Sequence, residues 1–154
     1  MSVAFRRESD EEHKEPRFEI PLPTGPNLVT ERGLAQIRAR IQELQDRLAA
    51  QPPEGERTEA ERDLRYWKTR QATAQIAPTP NGEEAAIGTR VTIRLNGAER
   101  TLSIVGHDEA DPSAGYVSFA APLAVAILGS CVGDRVNFAG KPEAVEIVEI
   151  APLS

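Results

Sequence analysis

Two glutamates at a sharp chain reversal are the residues best placed to do chemistry. Glu56 and Glu59 follow Pro52, Pro53 and Gly55, between two stretches that read as helices. Carboxylate oxygens are the hard donors that Mg²⁺ takes while keeping several waters. An ion held in that way can activate a bound water as a nucleophile. The same two residues have a plainer explanation, because acidic side chains in the first turn of any helix complement its macrodipole. Thr58 and Glu61 form a T-x-x-E capping box, which places Glu59 at the first helical position. On the residues alone both explanations stand.

Other charged groups carry the same kind of choice. Arg62, Arg65 and Lys68 step by three along the second helix, with Arg57 and Arg70 nearby. They form either a flank for phosphates or a solvated face with local ion pairs to Asp63 and Glu59. Trp67 falls in the apolar seam of that helix. Asp108, Glu109 and Asp111 cluster in a polar loop, but they lack the glycine and the closing glutamate of a calcium-binding loop. They read as an acidic surface instead. Cys131, His13 and His107 make no ligand or catalytic constellation, and a lone cysteine excludes an internal disulfide and fits a reducing compartment.

The elements that must position these groups follow from composition and periodicity. The chain has 154 residues and a formal net charge of −6, which argues against non-specific binding to a nucleic-acid duplex. No apolar run approaches a membrane span, and the first residues lack an export signal, so the expected location is the cytoplasm. Charge divides the chain. Residues 30–76 hold nine Lys/Arg against eight Asp/Glu, whereas residues 77–154 hold five against ten.

Residues 1–29 are charged and then punctuated by proline, and read as an arm that is largely extended or disordered. Within it Phe18, Ile20 and Leu22 alternate, which allows a short strand or a docked segment. Thr30 can cap a helix whose seam is Leu34, Ile37, Ile41, Leu44 and Leu48, a narrow stripe suited to one partner helix. Pro52 and Pro53 end it. A second seam runs through Ala60, Leu64, Trp67, Gln71 and Ala74, so residues 30–76 read as an antiparallel helical hairpin with its tip at 51–58. A linker at 77–86 leads into alternation of period two over residues 87–152. Asn96-Gly97 marks a tight strand reversal, and a short helix opens at Pro122 and ends at Gly129. The expected class is α+β: a helical hairpin followed by a small antiparallel sheet with one short helix.

Two stretches carry a resemblance. Ile104-Val105-Gly106-His107-Asp108-Glu109-Ala110-Asp111-Pro112, then Pro122 to Gly129 with Val132-Gly133-Asp134, resemble the C-terminal domain of the bacterial Gre transcription elongation factors. Thr30-x-x-Gly33-Leu34 resembles the start of that family's first helix. The resemblance implies an FKBP-like domain that docks on the rim of the RNA polymerase secondary channel, with Asp108, Glu109, Asp111, Pro112, Pro122 and Leu123 as docking residues. It implies that the hairpin enters the channel, where Glu56 and Glu59 help hold a Mg²⁺ shared with the polymerase active site. In that role they stimulate cleavage of backtracked RNA.

By the same resemblance Arg57, Arg62, Arg65 and Lys68 form a basic patch that contacts the nascent RNA. The enzyme would be the polymerase, and this chain a monomeric accessory factor with no cofactor of its own and no membrane partner. The sequence departs from the family at the tip. Glu56 stands for a shorter aspartate, Asp63 for an aromatic residue, and the hairpin is shorter than in the main cleavage factors. The departures resemble the nucleoside diphosphate kinase regulator branch, and the alternative they imply is a binding-only factor that competes for the channel.

Overall fold

The computed structural model describes residues 19–153. Phe18 and the rest of the arm before Glu19 lie outside them. The described residues form two compact units: residues 19–24 with 38–72, and residues 25–37 with 73–153. Both divisions fall inside helices, at Ile37/Arg38 and Ala72/Thr73.

Helix α1 spans Glu31–Ala49 and helix α2 spans Glu54–Thr73. Thr30 caps α1 as its side chain predicts: Gly33 N–H donates to the Thr30 hydroxyl at 2.9 Å, and Leu34 N–H to its carbonyl at 2.9 Å. In the hairpin unit Ile41, Leu44 and Ala60 are buried, and Leu48, Leu64 and Trp67 half-buried. Tyr66 meets Trp67 edge to face at 5.1 Å.

The expected start of the second helix is wrong. α2 begins at Glu54, and the Pro53 carbonyl accepts the first helical bond from Arg57 N–H at 2.9 Å. Proline fixes φ and brings no N–H of its own. At an exposed turn, water can satisfy the remaining first-turn donors. Thr58 and Glu61 therefore lie inside the helix rather than forming its cap. The seam shifts as well: Arg70 is buried at 4% exposure, while Gln71 is exposed. Residues 70 and 71 flank the same stripe, and an arginine can bury its long aliphatic stem.

In the second unit, Leu28–Val29 (β1) pairs in parallel with Gln75–Ile76 (β2). Gln75 N–H donates to Asn27 O and Ala77 N–H to Val29 O, each at 2.9 Å. The main sheet comprises β3 (Thr89–Leu95), β4 (Ala98–Val105), β5 (Tyr116–Ser118), β6 (Arg135–Phe138) and β7 (Lys141–Pro152), in the order β5-β4-β3-β7-β6. Asn96 and Gly97 both take positive φ, 51° and 88°, as a two-residue strand reversal requires.

The α+β class stands, but the sheet is not wholly antiparallel, because β4 and β5 pair in parallel. The loop at residues 106–115 folds back through two short 3₁₀ turns and Gly115 (φ 86°), so Tyr116 restarts beside Ser103. Helix α3 (Pro122–Ile127) covers the core face. Val91, Ile93, Leu102, Ile104, Val145 and Ile147 from the sheet meet Ala124 and Ile127 from α3. Burial of each large aliphatic side chain stabilises the unit by about 1.5–3 kcal/mol.

Candidate functional site

In the hairpin unit the chain reverses within residues 50–53, and Gln51 takes φ 55°. Glu56 is the third residue of α2 and Glu59 the sixth, both exposed. Their spacing of three places them one turn apart on one face. Glu59 is thus a second-turn residue, and the first-turn acids that complement the macrodipole are Glu54 and Glu56. Glu54, which the sequence reading passed over, is the acid nearest the turn. Among the described residues no group of three or more His, Cys, Asp or Glu side chains is gathered as a cation would need. Glu56 and Glu59 are hard oxygen donors of the kind Mg²⁺ takes, and a pair of them would leave its other ligands to come from outside this chain.

The basic residues of α2 do not stand as one open patch. Arg57 and Lys68 are exposed. Arg62 is half-buried and reaches Asp63 at 3.1 Å. Arg65 grips Glu19, with Nε–H donating to Oε1 at 2.9 Å and Nη2–H to Oε2 at 2.5 Å.

In the sheet unit the acidic loop is divided by direction. Asp108 is half-buried, and Asp111 is exposed and accepts a bond from the Ser113 hydroxyl at 2.7 Å. Pro112 and Pro122 are exposed, and Leu123 is half-buried against the core. Glu109 points inward, its side chain 1% exposed. The Thr30 hydroxyl donates to its Oε1 at 2.5 Å and Arg32 Nη1–H to its Oε2 at 2.6 Å. The Arg32 guanidinium also lies 4.5 Å from the centre of the Tyr116 ring.

This cluster ties together two of the stretches that carry the resemblance, since Thr30 and Gly33 belong to one and Glu109 to another. A β-carbon on Gly106 would come within 2.4 Å of the Leu28 carbonyl, so this glycine admits a close approach of β1. No local pattern in the sequence pairs Arg32 or Thr30 with Glu109. The T-x-x-G spacing was the available signal, because it leaves room beside the cap.

An apolar cleft of about 490 Å³ in the same unit is lined by Leu28, Pro78, Pro80, Ile87, Phe119 and Leu128, among others. Val125 and Val132 are each 58% exposed. None of the described helices is long and apolar enough to cross a membrane.

Comparison with known proteins bears on the C-terminal part of the chain. The family profile described as transcription elongation factor, GreA/GreB, C-term, matches residues 79–152. A transcription elongation factor GreA of Roseiflexus sp. (strain RS-1) is 41% identical over 78 residues, covering 48% of this chain and 50% of the relative. The GreA of Desulfovibrio desulfuricans is 37% identical over 82 residues, 51% of each chain. The chain thus matches about half the length of these curated relatives. Among solved structures, GreA factor homolog 1 of Thermus thermophilus aligns over 82% of this chain and 99% of its own, at 19% identity and a TM-score of 0.39.

Proposed function

We propose that the protein binds bacterial RNA polymerase at its secondary channel and stimulates cleavage of backtracked RNA, a reading that proceeds from the match of residues 79–152 to the C-terminal profile of the GreA/GreB transcription elongation factors. The observation that carries this reading is the pair Glu56 and Glu59. They are exposed, one turn apart, beside the closed end of a helical hairpin, on a chain whose other half is of Gre type.

The polymerase is the enzyme in this reading, and the chain lends ligands to it. Glu56 and Glu59 would hold a Mg²⁺ shared with the polymerase through their carboxylate oxygens. Bound there, the ion would supply the means to activate water for phosphodiester attack. Asp108, Asp111, Pro112, Pro122 and Leu123 form the outward docking surface, whose acids suit a basic rim. Glu109 serves that surface from inside, through Thr30 and Arg32. Arg57, Arg62, Arg65 and Lys68 face the nascent RNA. The factor acts as a monomer in the cytoplasm.

A second reading is favoured by the tip itself. Glu56 carries one methylene more than the family's aspartate, and the hairpin's helices have only 19 and 20 residues. At ~1.5 Å per residue each is about 30 Å long. A factor of that reach could occupy the channel and compete with cleavage factors without stimulating cleavage. Cleavage in stalled polymerase complexes separates the two. Acceleration by the wild type that is lost in Glu56→Ala/Glu59→Ala supports the first reading. Binding without acceleration supports the second, and failure to bind core polymerase removes both.

A further inference from the structure

One flank of the hairpin unit is already occupied by the chain itself. Glu19 lays its carboxylate along the Arg65 guanidinium through two parallel hydrogen bonds. Ile20 and Leu22 follow it, and with Glu19, Arg65, Tyr66 and Thr69 they line a cleft of about 260 Å³. The Glu19 carboxyl is held below its ordinary range, chiefly by the hydrogen bond from Arg65; desolvation opposes this, and the Arg65 and Arg62 charges lower it further. It is therefore ionised at neutral pH. Arg62 has its own carboxylate partner in Asp63. Arg62 and Arg65 thus both hold anions supplied by their own chain.

A guanidinium fork offers the same paired donors to a carboxylate and to a phosphate. We propose that residues 19–22 are a tethered competitor for this flank, with Glu19 holding on Arg65 the position that a phosphate of single-stranded RNA takes when the factor engages its target. This rests on the reading of Arg65 as an RNA contact and adds that the contact is self-occupied, so RNA binds by exchange. Both partners are about half exposed, 57% for Arg65 and 45% for Glu19. Pairs of that kind are weak and screened by salt, which suits a latch that must be displaced. The latch keeps Arg65 from other polyanions until an RNA strand is presented beside it.

The test uses the full chain in four forms: wild type, Glu19→Gln, Arg65→Gln and the double variant. The probe is a short labelled single-stranded oligouridylate, at low and at raised ionic strength. Glu19→Gln is expected to bind it about threefold more tightly than wild type at low salt, within the range of one exposed ion pair, with the gain shrinking as salt rises. Arg65→Gln binds more weakly, and the double variant matches Arg65→Gln, because the latch has nothing left to cover. The proposal is overturned if Glu19→Gln binds no more tightly, or if it still improves binding when Arg65 is gone.

The same four proteins are then titrated onto stalled polymerase complexes, where the same order of half-saturation is expected. A gain for Glu19→Gln there, with none on the oligouridylate, overturns RNA as the competitor and assigns the flank to an acidic protein surface. A gain on the oligouridylate with no polymerase binding by any form sustains the latch and removes the polymerase reading.

Discussion

Gly33 lies so close to the Glu109 carboxylate that a β-carbon at position 33 would sit 2.7 Å from Oε1. The carboxylate must shift to make room, which strains its bonds to Thr30 and Arg32. In an exposed helix Gly→Ala gains up to ~1 kcal/mol. Here the lost bonds, at ~1.5–3 kcal/mol for those to a charged group, outweigh that gain. Gly33→Ala is expected to lower stability by about 1 kcal/mol, read from the urea midpoint at unchanged slope.

Glu109→Gln tests the same cluster from the other side. It keeps an acceptor for Thr30 but presents an amide to Arg32 and removes the charge. Arg32 is 44% exposed and can rehydrate, which keeps the penalty moderate. A loss of about 1–2 kcal/mol is expected on urea denaturation. Asp111→Asn, at an exposed position, is expected to change stability by no more than ~0.5 kcal/mol while weakening capture by core polymerase.

Acid releases the Glu19 latch. The folded-state pKa of Glu19 is depressed from an ordinary 4.5, first by the hydrogen bond from Arg65. A carboxylate of that kind contributes its stabilisation above the unfolded pKa and loses it as pH falls through the folded one. The contact is therefore intact at neutral pH and opens only at pH below 4.5. An NMR titration of the Glu19 carboxyl should show a midpoint below that value, and Arg65→Gln should return it upward.

Glu56→Ala/Glu59→Ala separates chemistry from folding. Both side chains are exposed, so the double variant is expected to stay within about 1 kcal/mol of wild type in urea, the small cost reflecting a first-turn acid lost from α2. Cleavage stimulation is expected to fall by at least about tenfold, since a metal ligand is worth several kcal/mol to the transition state. Half-saturation on core polymerase should be unchanged.

Local pattern carried most of the fold. The stripe Ile37, Ile41 and Leu44 is buried where its spacing of three and four put it. Val91 and Ile93 alternate into the core, and Asn96-Gly97 reverses the chain with both residues at positive φ. These features were legible because each depends on neighbours within a few residues. The two-residue ladder of Leu28–Val29 on Gln75–Ile76 was not, since two residues have no period and their partners lie 47 positions away. The parallel pairing of β5 escaped for a similar reason. Its direction depends on how ten loop residues return, which alternation within the strand does not encode.

The candidate site divided along the same line. Residue type and order by themselves determined that Glu56 and Glu59 follow a proline-stiffened turn, that Thr30 caps a helix, and that residues 104–134 resemble the Gre pattern. Only the tertiary structure decided which acids face outward. It turned Glu109 into the protein against Thr30 and Arg32, left Asp111 outside, and gave Arg65 a partner 46 residues away in Glu19. A charge's environment depends on what the folded chain brings beside it. For Glu109 that was the first turn of a distant helix, with a glycine at the point of closest approach.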